Sequence, residues 1–112
     1  MRLAKASRLA LRREFLAVQE RGRKVQSGGA YLVVIAPNRL GRARLGVTVS
    51  ARIGNAVARN RVKRWVREAF RARAAALPAL DVVVIARSGA PRGGLEAARR
   101  AIDSLPGARG GA

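Results

Sequence analysis

Two seven-residue stretches, residues 30–36 (AYLVVIA) and 80–86 (LDVVVIA), constrain what this chain can become more than any other feature. Each is an almost unbroken apolar run rich in β-branched side chains, short for a helix and bounded by turn residues. Each therefore reads as a buried strand. The segment 37–42 carries Pro37, Asn38 and Gly41 and reads as a turn. Residues 44–50 then alternate, with Leu45, Val47 and Val49 on one face and Gly46, Thr48 and Ser50 on the other. That pattern predicts a further strand, expected to be the hairpin partner of the one before it. Residues 23–27 read as an edge strand, closed by Gly28-Gly29.

Helical spacing fills the gaps. Residues 12–21 read as a short helix with Phe15, Leu16 and Val18 apolar and Gly22 placed to stop it. Residues 7–11 fit either its first turn or an extended lead-in. The longest helix opens at Gly54-Asn55 and runs to about residue 76, where Leu77-Pro78 ends it. A last helix spans about 95–105, with Leu95, Ala98, Ile102 and Leu105 at helical intervals. The predicted order is α-β-β-β-α-β-α: an α+β, two-layer sandwich on one mixed four-stranded sheet. All 112 residues suit a single domain with an ordered core at about 8–105, a loose basic N-terminus and a loose Gly-rich tail.

The charge decides which partner such a domain would seek. There are 24 Lys and Arg against 6 Asp and Glu, a net charge of +18, and twelve of the cations fall in an acid-free window between Glu20 and Glu68. A merely soluble surface intersperses both signs. Self-repulsion at this density destabilises the fold unless a polyanion offsets it, which points to nucleic acid. The chain has no histidine and no cysteine, and its six acids are scattered. Hydrolysis needs a base near neutral pH, a nucleophile, or a metal held by paired carboxylates, so no catalytic residue is assigned and no metal site is expected. No apolar run approaches membrane-spanning length, and a cytoplasmic location is expected.

Within the long helix the charge is organised. Ala58, Val62, Trp65, Val66 and Ala69 share one side, with Phe70 at its edge, while Asn60, Lys63, Arg64, Arg67 and Arg71 line the other, flanked by Arg59 and Arg61. Like charges at i,i+4 cost a few tenths of a kcal/mol per pair, roughly 0.2–0.5. A solvated helix face would alternate Glu with Lys, and here the alternation is missing. A line of phosphates would offset the repulsion.

The same residues carry a family resemblance. Gly54-Asn55-Ala56-Val57-Ala58-Arg59-Asn60-Arg61-Val62-Lys63-Arg64, continuing Trp65-Val66-Arg67-Glu68-Ala69-Phe70, resembles the signature GNAV-x-RN-x-x-KR-x-x-RE-x-F of the bacterial ribonuclease P protein subunit. Arg13-Glu14-Phe15 with Val18 and Gly22 resembles that family's first helix, Arg44 to Ser50 its RLG-x-SVS strand, and Leu80 to Arg87 its last strand. The likeness extends over about residues 8–105.

The resemblance implies a left-handed βαβ crossover and a protein that works with a catalytic RNA. Together the two would remove the 5′ leader of precursor tRNA by metal-dependent hydrolysis. The RNA would supply the active site and hold most of the Mg2+, the protein would bind no cofactor of its own, and no obligate protein partner or membrane is expected. It implies RNA contacts at Arg52, Arg59, Asn60, Arg61, Lys63, Arg64, Arg67 and Arg71. It also implies a cleft for single-stranded leader that includes Arg8, Arg12, Phe15, Gln19, Tyr31, Val34 and Ser50. Phe15 matches the family's stacking aromatic, although core packing would equally explain it. Gln19 stands where a second aromatic is common and Val34 where some members have Tyr, so weaker leader stacking is expected. A ribosomal protein shares the size and charge, and only the signature helix separates the two readings. A DNA-binding module would carry more neutral polar readers than Asn60 alone. A membrane binder would need an apolar helix face that the sheet already requires.

Overall fold

Asp81 apart, β4 (Leu80–Ala86) is a strand of apolar side chains with almost no exposed surface, and that property dictates the arrangement around it. A strand apolar on both faces is stable only inside the sheet with both faces covered. The computed structural model describes residues 7–9 and 11–107. It contains α1 (Arg12–Arg21), β1 (Arg23–Ser27), β2 (Tyr31–Pro37), β3 (Arg44–Thr48), α2 (Ala56–Arg73), β4 and α3 (Ala90–Asp103), with 3-10 turns at Ala51–Ile53 and Ala74–Ala76. The expected element order holds.

The strands lie in the order β1-β2-β4-β3. β1 and β4 both run antiparallel to β2, and β3 runs parallel to β4. The expected hairpin between β2 and β3 is therefore incorrect. β4 inserts between them because β3, with Gly46 at its centre, offers less apolar surface and takes an outer position. The lead-in is extended where it meets β3: Arg8 bridges Leu45 in parallel, and the Leu9 N–H donates to the Leu45 carbonyl at 2.9 Å.

That hydrogen bond also fixes the hand of the β3-α2-β4 connection. Leu45 packs its side chain into the core beneath α2. For an L-residue in an ascending strand whose side chain faces the viewer, both main-chain polar groups point right. Those of Leu45 point to residues 7–9, so β4 lies on its left. With α2 in front, the chain thus moves leftward from β3 to β4. The crossover is left-handed, against the strong general preference and as the family resemblance implied.

Alternation divides the core between the two faces of the sheet. Val33, Ile35, Leu45, Val82 and Val84 meet Val62, Val66, Phe70, Ala98 and Ile102 from α2 and α3 on one face; with α1 on the other, the sheet is the middle of three layers where a two-layer sandwich was expected. α1 lies across the opposite face, where Val18 packs with Leu9, Val34, Ala36 and Val83. Val18 is the one fully buried side chain that α1 contributes. Asn55 caps α2, its Oδ1 accepting from the Ala58 N–H at 2.9 Å. The α3 span is longer than expected at its start, but Gly94 at φ 59 interrupts it, so continuous helix begins at Leu95 as the spacing predicts. Asp81 forms a salt bridge with Arg44 at 2.8 Å.

Candidate nucleic-acid interface

Four apolar side chains of α2 (Val62, Val66, Ala69 and Phe70) are buried, and their spacing sets which residues point away from the sheet. Asn60, Arg61 and Arg64 are exposed, while Lys63 and Arg67 are partly exposed. None of these five side chains has a hydrogen-bond or ion-pair partner among the described residues. Four of the six acids are engaged elsewhere: Glu14 and Asp81 with Arg44, Asp103 with Arg73, Glu96 with Arg100. The positive charge of the stripe thus meets no ion pair among the described residues. Arg59 lies deeper on the flank, its Nε buried without a partner among the described residues. Arg71 is separated from the others. It lines a groove of about 360 Å³ between α2 and α3 with Glu68, Ala72 and Arg99.

Beside the stripe, a cleft of about 540 Å³ opens between α1 and the outer edge of the sheet. Arg12, Phe15, Leu16 and Gln19 line it from α1, Val47, Thr48 and Val49 from β3 and the residue after it, and Lys63 from α2. Lys63 therefore joins the cleft to the cationic stripe. The four α1 residues recur at intervals of three and four, one face of the helix. Phe15 is partly buried, its ring lying against the backbone of Gly46, where a Cβ would come within 2.6 Å of it. A glycine here lets the ring lie against the strand, so Phe15 both packs the floor and presents an apolar surface to the cleft. No group of three or more His, Cys, Asp or Glu able to hold a metal exists among the described residues.

Of the residues assigned to the cleft from sequence, the structure brings Arg12, Phe15 and Gln19 together there. Ser50 is exposed directly after Val49, Arg52 is exposed in the 3-10 turn that follows, and Arg8 flanks β3 beside Leu45. Leu16, Val47, Thr48 and Val49 were not anticipated. The i,i+4 step from Arg12 could have indicated Leu16, and the assignment of Ser50 could have extended back along its strand.

Two assignments require correction. Tyr31 lies on the opposite face of the sheet, because strand side chains alternate and Tyr31 shares the α2–α3 side with Val33 and Ile35. It is 1% exposed, and its hydroxyl has no protein partner among the described residues. Val34 is on the α1 side but is buried against Val18 and Leu9, beneath the helix and outside the cleft wall. Burial pushes the Tyr31 hydroxyl from its ordinary value of 10.0 up to about 12. Because the folded state holds this proton more tightly, its contribution to stability is complete below pH 10.0 and is lost as the pH rises towards about 12. Tyr31→Phe is expected to stabilise the protein by about 1 kcal/mol at neutral pH. It should also remove this alkaline component. Thermal melts between neutral pH and pH 12 check both.

Comparison with known proteins decides between the readings that charge alone left open. The Ribonuclease P family model matches residues 3–107. The chain belongs to the ribonuclease P protein family. A ribonuclease P protein component from Gluconacetobacter diazotrophicus is 46% identical over 87 residues, covering 76% of this chain and 75% of that protein. The structure of the Staphylococcus aureus RNase P protein superposes with a TM-score of 0.81 at 29% identity, covering 90% of this chain and 93% of that one. The RNase P protein from Thermotoga maritima, solved with 1-(4-fluorophenyl)-2-thiourea, superposes with a TM-score of 0.73 at 34% identity and covers 82% of this chain and 90% of that one. The chain is thus a ribonuclease P protein component, an RNA-binding protein of tRNA processing. No helix among the described residues is long and apolar enough to cross a membrane.

Proposed function

We propose that this ribonuclease P component holds the enzyme's RNA along α2 and the single-stranded 5′ leader of precursor tRNA in the cleft beside it. The observation that carries this reading is the continuity of two surfaces. A stripe of cations without acidic partners meets, at Lys63, a cleft floored by an aromatic ring. Asn60, Arg61, Lys63, Arg64 and Arg67 suit a phosphate backbone, with Arg52, Arg59 and Ser50 at its margin. Arg71 would reach RNA only from the α2–α3 side. In the cleft, Phe15 offers one face to a leader base, a contact worth about 1–3 kcal/mol. Arg12 and Lys63 stand where the flanking phosphates would run, and Arg8 would meet the leader farther along β3. Gln19 supplies an amide where a second ring would stack, which weakens leader binding.

The protein's part in catalysis is then to position substrate and lower electrostatic repulsion. Concentrating two polyanions at one site is unfavourable, and a cationic component offsets part of that cost. Hydrolysis belongs to the RNA partner, together with the Mg2+ that it holds. The protein acts in the cytoplasm, with no obligate protein partner and no membrane contact.

Leader cleavage of a precursor tRNA by a bacterial ribonuclease P RNA at low Mg2+, with and without this protein, tests the reading. Cleavage that requires both components is the expected result. Tight RNA binding with no effect on cleavage would overturn it.

A further inference from the structure

We infer that the Glu14–Arg44–Asp81 chain of ion pairs is a strap that fixes α1 over β3, making Arg44 a positioning residue for the leader. This inference rests on the leader reading above. Arg44 is the first residue of β3, on the face that Gly46 and Thr48 turn towards α1. Its Nε and Nη2 donate to the two carboxylate oxygens of Asp81 at 2.9 and 2.8 Å, and its Nη1 donates to Glu14 Oε2 at 2.8 Å. A planar guanidinium can make both contacts at once, and an ammonium cannot reproduce that fork.

The anchored end of the strap is firm. Asp81 is 6% exposed and also accepts from Asn38 Nδ2 at 2.8 Å. Asn38 is itself tied to the turn before β3, donating to the Arg42 carbonyl and accepting from the Leu40 N–H. At the other end Glu14 does two things at once. Its Oε1 accepts from the Leu11 N–H at 3.0 Å, closing the first turn of α1, while Oε2 holds Arg44.

What makes this more than general stabilisation is where the strap attaches, since the only other anchor at the N-terminal half of α1 that packs on the sheet-side cluster is the partly buried Phe15 ring itself. Val18, near the C-terminal end, is its one fully buried side chain. The residues that line the cleft (Arg12, Phe15, Leu16 and Gln19) run from the N-terminal end, where the strap attaches. Glu14 adjoins Phe15 in sequence, so holding its carboxylate fixes the rotation of the helix and the direction of the ring. Two of the chain's six acids meet one arginine here, so the cluster does not itself attract phosphate.

The test uses the holoenzyme reconstituted from this protein and a ribonuclease P RNA. Glu14→Gln keeps an oxygen for the Leu11 N–H but turns an amide donor towards Arg44, so it cuts the strap and spares the cap. The readouts are affinity for precursor tRNA, affinity for leaderless tRNA and affinity of the protein for the RNA subunit. The leader-dependent gain, the ratio of the first two, should fall roughly fivefold or more, while RNA-subunit affinity stays within about twofold. Arg44→Lys should behave in the same way, and Glu14→Asp, which keeps the carboxylate, should restore most of the gain. An unchanged gain in a Glu14→Gln protein that melts normally would overturn the strap. So would an equal loss of RNA-subunit affinity, which marks general destabilisation. A parent holoenzyme with no leader-dependent gain would overturn the leader reading itself, an outcome visible before any variant is made.

Discussion

Replacing Lys63, Arg64 and Arg67 together with alanine should weaken binding to the ribonuclease P RNA about 100-fold near physiological salt. It should also flatten the salt dependence by about two to three units of slope. The three side chains project from one stretch of α2 and make no ion pair or hydrogen bond among the described residues, so their charge is available to phosphate. Each neutralised phosphate releases roughly 0.7–0.9 of a counterion, and each exposed contact contributes about 1 kcal/mol. The fold should survive, because none of the three is a fully buried side chain of α2. Arg100, paired with Glu96 on α3, provides the control, and its replacement should leave the slope as it was. Binding titrations across a salt series give both quantities. A slope unchanged in the triple variant would remove this face of α2 from the interface.

Phe70→Ala should be the most destabilising single change within α2. Its ring is 0% exposed, closing the core between α2, α3 and the sheet. Truncating such a residue costs about 3–5 kcal/mol through lost burial and the cavity left behind. A domain of this size has only about 5–15 kcal/mol in all, and its self-repulsion at +18 draws on the same reserve. Urea denaturation followed by circular dichroism should show the midpoint falling with an unchanged slope. Added RNA should recover part of the loss, since a ligand that binds only the folded chain shifts the equilibrium towards it. A variant as stable as the parent would mean that the space beneath α2 refills.

The left-handed crossover and the cleft show how far reading along the chain can go. The order of elements follows from local physics: β-branched runs make strands, 3.6-residue spacing makes helices, and Gly and Pro punctuate. The limits of α1, β1 and β4 match what those rules predict. The cationic stripe of α2 was legible for the same reason, since a helix brings residues three and four apart onto one face without help from the rest of the fold. Phe15, Arg12 and Gln19, assigned to a cleft by resemblance, do line one together, yet the neighbours that complete their wall come from β3 and α2, far away in sequence.

The pairing partner of β3, the face occupied by Tyr31 and the ion pairs of Arg44 lay beyond local rules. A short turn between β2 and β3 suggests a hairpin, but the exclusion of water from both faces of β4 is a demand of the whole sheet and places that strand between them. Tyr31 shows the same limit: alternation says which residues share a face, not which helix will cover it. By itself the sequence determined a small α+β domain with a cationic helix. The tertiary structure alone decided which residues meet across the cleft, because those contacts join elements whose separation in the chain carries no local signal.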